Sequence, residues 1–199
     1  MNPIVIAYHL VWTIYGYWLP NDLRGSMSKQ IRNDLLKELG DDHYGHKKIQ
    51  PLAMDLRAFD ERADAVLKFP VIEFSADARR TIADAFAHVV ATWKYTCYAC
   101  AIMPDHVHVV VAADTLDGDE LIGCIKRAGT RGLNDEGLHP MRNYPRANGR
   151  LPSPWAERGW KVMLFTREQM RSRIRYVEEN PELAGFKRQR WPFVVPYLG

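Results

Sequence analysis

Residues 95–113 read Tyr-Thr-Cys-Tyr-Ala-Cys-Ala-Ile-Met-Pro-Asp-His-Val-His-Val-Val-Val-Ala-Ala. Two apolar runs rich in β-branched and aromatic residues flank a Pro104-Asp105 turn, which predicts strands over Tyr95–Met103 and His106–Ala113 lying side by side. Before them, Ser75 caps a helix whose Ile82, Phe86, Val89, Val90 and Trp93 recur at helical spacing. After them, a second helix runs from near Asp117 to about Leu133, with Leu121, Ile122, Ile125 and Ala128 inward and Lys126, Arg127 and Arg131 outward. Ile4–Tyr17 reads as a long first strand and Trp160–Phe165 as a short last one. Thr166 caps a final helix to about Glu179, ended by Pro181. Strand, helix, strand, strand, helix, strand predicts an α+β, ferredoxin-like antiparallel sheet with helices on one face. Residues 20 to about 72 read as an insertion after the first strand, with helical stretches near 28–39 and 54–67. The whole chain, 1–199, reads as one domain carrying that insertion.

Apolar residues make up 47% of the sequence and charged residues 26%, which argues against global disorder. No run approaches the roughly 18 to 20 apolar residues that span a bilayer. The apolar N-terminus lacks a basic leader and a cleavage site, so it reads as a buried strand. Three cysteines argue against a disulfide framework and for a reducing, cytoplasmic setting. The net charge of +3 is unevenly spread: residues 1–125 carry 12 basic against 17 acidic residues, and residues 126–199 carry 15 against 7. That asymmetry points to a polyanionic partner, against the plainer reading of a solvated basic face.

In a strand, residues i and i+2 share a face, so His106 and His108 lie parallel with Cα atoms about 6.5 to 7 Å apart. Two imidazoles so placed reach one cation, whereas two half-exposed strand histidines are the plainer alternative. A histidine-triad hydrolase needs a third histidine where Val110 stands. A two-motif phosphoesterase needs a second His-x-Thr/Ser pair, and none exists. A structural zinc site of Cys97, Cys100, His106 and His108 is disfavoured because three residues' separation in a strand turns the two thiols to opposite faces.

The last helix reads Thr166-Arg-Glu-Gln-Met-Arg-Ser-Arg-Ile-Arg-Tyr-Val-Glu-Glu179 before Asn180-Pro181. Tyr176 and Asn180 stand one turn apart on one side, with Arg173 beside them and Arg171 and Arg175 flanking. A phenol needs nearby cations or a metal to act as a nucleophile at neutral pH, and arginines also grip phosphate. A basic amphipathic helix with a rim tyrosine is the plainer alternative.

Taken together, Met103-Pro104-Asp105-His106-Val107-His108 and Tyr176-Val177-Glu178-Glu179-Asn180-Pro181, with Gly185-Phe186, Trp191-Pro192-Phe193 and the opening Ala7-Tyr8-His9-Leu10-Val11-Trp12-Thr13, resemble the single-tyrosine HUH transposases. The resemblance is nearest to their REP-associated tyrosine transposase branch and covers the chain outside about 20–72. It implies metal-dependent cleavage and rejoining of single-stranded or hairpin DNA. His106 and His108 would hold Mg²⁺ or Mn²⁺ with Asn180 as third ligand, and Tyr176 would form a 5′-phosphotyrosine. Lys126, Arg127, Arg131, Arg171, Arg173 and Arg175 would meet the DNA. It further implies a nucleoid-associated monomer or homodimer with no membrane contact. Glu178 and Glu179 depart from the apolar or neutral residues expected there. An inactive DNA-binding protein of the same fold and a metal-dependent phosphoesterase are the competing readings.

Overall fold

A computed structural model of the chain describes residues 3–26, 31, 34–45, 47, 51–113 and 117–199. Its strands are β1 (Ala7–Thr13), β2 (Cys97–Ile102), β3 (His106–Ala112) and β4 (Trp160–Leu164). Its helices are α1 (Asp34–Lys37), α2 (Ala53–Val66), α3 (Ala76–Trp93), α4 (Gly118–Asp135) and α5 (Arg167–Leu183). The strands form one antiparallel sheet in the order β2-β3-β1-β4, the arrangement expected for the ferredoxin-like α+β class. Residues 28–30, 32 and 33 of the helix expected near 28–39 lie outside the described residues, and α1 is its described part.

Sequence dictates the two faces of the sheet by period-two alternation. Leu10 and Trp12 of β1 and Val107, Val109 and Val111 of β3 join Ile82, Phe86, Leu121 and Ile125 in the larger core, beneath α3 and α4. Ser75 accepts from the Ala78 N–H at the start of α3, and Asp117 and Glu120 form a capping box at the start of α4. On the opposite face, Ala7, Ala99, Ala101 and Val110 join Leu164, Met170 and Val177 in a smaller core that seats α5. Thr166 and Gln169 cap α5 reciprocally. Pro181 does not end the helix as expected: α5 runs on to Leu183 with Pro181 buried inside it. The continuation is under one turn, so the proline removes a single amide donor close to where the ladder stops.

Residues 184–199 run beside β2. Gln189 donates to the Ile102 carbonyl and accepts from its N–H, both at 2.8 Å, and Val195 N–H donates to the Cys97 carbonyl at 2.9 Å. An otherwise open sheet edge is thereby satisfied. The insertion has its own small cluster of Leu19, Leu36, Leu39, Phe59 and Ala63. No helix among the described residues is long and apolar enough to cross a membrane.

Two local expectations are corrected. Cys97 and Cys100 do not face opposite ways: a register shift between Cys97 and Ala99 turns both into the larger core. Burial pushes the Cys97 thiol up to about 12 and the Cys100 thiol well above its usual value, and both lie across the sheet from the histidines. Lys126 does not point to solvent. It is 9% exposed, and its ammonium donates to the carbonyls of Ala156 and Arg158 at 2.9 and 3.0 Å. The loop that returns to β4 passes over this part of α4 and closes over the side chain.

Burial lowers the Lys126 ammonium to about 8. Between pH 8 and about 10.5 the unfolded chain therefore holds a proton that the folded chain has released, so stability rises with pH across that window and this group adds no slope below it. Comparing urea unfolding of the native chain and Lys126→Met from pH 7 to 10 should show a rising limb in the native chain that the variant lacks. Parallel pH profiles would contradict the assignment.

Candidate metal and nucleophile site

The site is built on the smaller-core face from three elements. β3 supplies His106 and His108, on the opposite side of the strand from Val107. β1 pairs antiparallel with β3, Thr13 opposite His106 and Val11 opposite His108, which brings His9 diagonally beside His108. α5 supplies Tyr176 and Asn180, held by Met170, Val177 and Pro181 on its buried side.

The His108 ring stands edge-on to Tyr176 with centroids 5.4 Å apart, and the His9 and Tyr176 centroids are 6.0 Å apart. His106 and His108 meet edge-to-face at 4.8 Å. Tyr176 keeps 41% of its surface exposed. The tyrosine and the histidine pair meet within one chain. Glu178 pairs with Arg188, and Glu179 is exposed.

The hydrogen bonds fix which nitrogens face the site. His106 Nδ1 lies 2.7 Å from Asp105 Oδ1. Burial raises the Asp105 carboxyl, but the hydrogen bond and charge of His106 outweigh it and hold the group below the usual aspartate range. An ionised carboxylate accepts, so His106 Nδ1 carries the proton, and in the neutral ring Nε2 bears a lone pair. That nitrogen is 3.3 Å from Asn180 Oδ1, a second acceptor. Were His106 neutral, the two lone pairs facing each other at this separation would suit a shared cation. Adjacent donors of an octahedral ion with bonds of about 2.1 Å stand roughly 3 Å apart.

His108 Nδ1 shares a hydrogen bond of 3.1 Å with His9 Nε2, the rings stacked at 5.2 Å. Burial, then the charges of His106, His9 and Arg173, holds His108 well below the usual histidine range. Burial and then Arg173 bring His9 down to about 4. Both rings are therefore neutral at pH 7, the state in which imidazole binds a metal. With Nδ1 engaged by His9, Nε2 is the His108 nitrogen left for an ion. Among the described residues no three His, Cys, Asp or Glu side chains are grouped to hold a metal, and the side-chain oxygen beside His106 Nε2 is the amide Oδ1 of Asn180.

The sequence-predicted residues divide spatially. His106, His108, Tyr176 and Asn180 come together, and Arg173 is half-buried near enough to act on both buried histidines. Arg175 is exposed, and Arg171 donates to the Gly199 carbonyl at 2.9 Å. Lys126, Arg127 and Arg131 lie on α4, across the sheet from Tyr176. Sequence reasoning missed His9 and Asp105 as members of the site. The available signal for His9 was its alternation with Ala7 and Val11, away from Leu10 and Trp12.

No protein-family profile and no curated protein matches the chain. Among solved structures, the chain is similar to a REP-associated tyrosine transposase bound to a REP hairpin. The identity is 14% and the TM-score 0.48, over 97% of this chain and 78% of that one. It is also similar to a candidate transposase from Deinococcus radiodurans R1, at 16% identity and a TM-score of 0.38, over 89% of this chain and 91% of that one.

The depressed His9 has a consequence for acid stability. An unfolded imidazole takes up its proton near pH 6.5, whereas folded His9 resists until about 4, so acidification through that window favours unfolding. The urea midpoint should be level between pH 6.5 and 8 and fall toward pH 4, with a shallower fall in His9→Gln. Side-chain ¹⁵N resonances should show His9 neutral at pH 5, and an ordinary titration near 6.5 would contradict the burial argument.

Proposed function

We propose that the chain is a metal-dependent DNA strand transferase that cleaves and rejoins single-stranded or hairpin DNA through Tyr176. The observation that carries this reading is the meeting of exposed Tyr176 with the buried, neutral rings of His9 and His108, beside His106 and the Asn180 amide oxygen, on one face of the sheet. His106 Nε2, His108 Nε2 and Asn180 Oδ1 are the atoms that would hold Mg²⁺ or Mn²⁺. When bound, such an ion polarises the scissile phosphate and offsets the charge that develops on it.

The chain's own groups do the rest. Tyr176 Oη attacks phosphorus, giving its proton to water. The bond from phosphorus to the 3′-oxygen breaks, and that oxygen takes up a proton to leave a free 3′-hydroxyl and a 5′-phosphotyrosine. Arg173, whose charge bears on both buried histidines, would steady a phosphate there. Rejoining is the reverse attack by a 3′-hydroxyl on the phosphotyrosine, which conserves the bond energy and needs no nucleotide. Asp105 and His9 act through the ligands: each fixes the tautomer and tilt of one imidazole by holding its Nδ1.

Incubating the protein with a hairpin oligonucleotide bearing single-stranded flanks and Mn²⁺ should give a denaturant-stable protein–DNA band. Tyr176→Phe should abolish the band, and a band that persists in that variant would refute the nucleophile. The role of His9 shows in binding rather than turnover. Calorimetric Mn²⁺ affinity should fall about 10- to 100-fold in His9→Leu, the range expected on losing an outer partner of a ligand, and recover in part in His9→Gln. Equal affinities in all three proteins would leave His9 a packing residue only.

A further inference from the structure

A second feature lies outside the histidine–tyrosine site. A cleft of about 1010 Å³ opens between α4, residues 15–20, and the loop at 146–158. Five of its lining side chains are basic (Lys126, Arg127, Arg131, Arg146 and Arg158) against two acidic, Asp135 and Glu157. Tyr15, Tyr17, Trp18 and Phe69 line it as well. All four rings are only half-buried, and Arg127, Arg131 and Arg146 are exposed.

We propose that this cleft is a track for single-stranded DNA, separate from the site of cleavage. Basic side chains along a groove follow a phosphate backbone, and aromatic faces beside them stack bases without regard to sequence. A duplex has no unstacked bases to offer such rings. Trp18 is held for display: its backbone sits at a positive φ of 52°, a costly conformation for a non-glycine residue, and the Arg24 guanidinium braces its ring at 5.5 Å. Arg24 is itself fixed by a two-point pairing with buried Asp22, at 2.9 and 2.7 Å. Lys126 contributes indirectly, since its bonds to the Ala156 and Arg158 carbonyls hold the wall that carries Arg158. The cleft begins where β1 ends. Ile14 N–H donates to the Asp105 carbonyl at 3.0 Å, so the cleft opens at the same end of the sheet as His106. A strand lying in it leads toward Tyr176 around that end.

The proposal rests on the reading of the chain as a protein that acts on DNA strands, but not on cleavage by Tyr176. The test therefore uses Tyr176→Phe protein without added metal, and reads binding of a fluorescent unstructured DNA oligonucleotide by anisotropy across a salt series. Adding Arg131→Ala and Arg146→Ala together should weaken binding about tenfold or more and lower the salt slope by roughly 1.4, at about 0.7 per lost phosphate contact on a single strand. Adding Trp18→Leu should weaken binding by about fivefold or more with the salt slope unchanged, as loss of stacking requires. Circular dichroism checks that each variant is folded. Unchanged affinity and slope in the folded arginine variant would overturn the proposal, and so would tighter binding of duplex DNA or of RNA of the same sequence. A covalent adduct formed by the native chain alongside unaffected groove variants would sink this inference and leave the cleavage reading standing.

Discussion

The candidate site depends on the shallow apolar seat that the sheet offers to α5. Its floor is Ala7, Ala99, Ala101 and Val110, three of them alanines, and the helix answers with Met170 and Val177. Small side chains let a helix settle close to a sheet, and closeness sets the height of Tyr176 above His108 and of Asn180 beside His106. A bulkier residue on that floor would lift α5 as a body. Both site residues would move away from the histidines together, because they stand one turn apart on a rigid element.

β3 joins this seat to the larger core. Its Val107, Val109 and Val111 are locked under α3 and α4, so the facing of His106 and His108 is decided by alternation. Polar groups on a largely apolar face are costly unless paired. The chain meets that cost with partners that also select tautomers: Asp105 for His106 and His9 for His108. His9 Nδ1 is buried with no hydrogen-bond partner among the described residues. An imidazole kept in that position despite an unsatisfied nitrogen is accounted for by what its other nitrogen does.

The strand pair around Pro104-Asp105, the two crossover helices and the capped tyrosine helix were legible because each rests on local signals: alternation, helical spacing, caps and a turn. What was not legible depends on long-range packing. His9 lies 99 positions from His108, and a single histidine in an apolar strand carries no mark that distinguishes a core residue from a partner. The shared facing of Cys97 and Cys100 comes from a strand irregularity that strict alternation cannot anticipate. Lys126 falls on the polar side of a helical wheel, but a wheel does not know which loop will pass over it. A proline reads as a helix stop, whereas a helix with only a fraction of a turn left at Pro181 loses little by passing through it.

The uneven charge of the sequence takes on a spatial meaning in this fold. The basic excess of residues 126–199 is divided between the tyrosine helix and the cleft beside α4. Arg173 stands near the histidines on one face, while Arg127, Arg131, Arg146 and Arg158 line the cleft beside α4 on the other. Two basic regions on opposite faces would be awkward for a ligand confined to one side. They are joined at one end of the sheet, where β1 leaves toward Tyr15 and Trp18 and the turn before β3 delivers His106. A flexible single strand can follow that rim, whereas a straight duplex cannot bend around it without a large elastic cost. Within the proposed function, the placement of charge therefore favours a substrate that is single-stranded where it passes between the two regions.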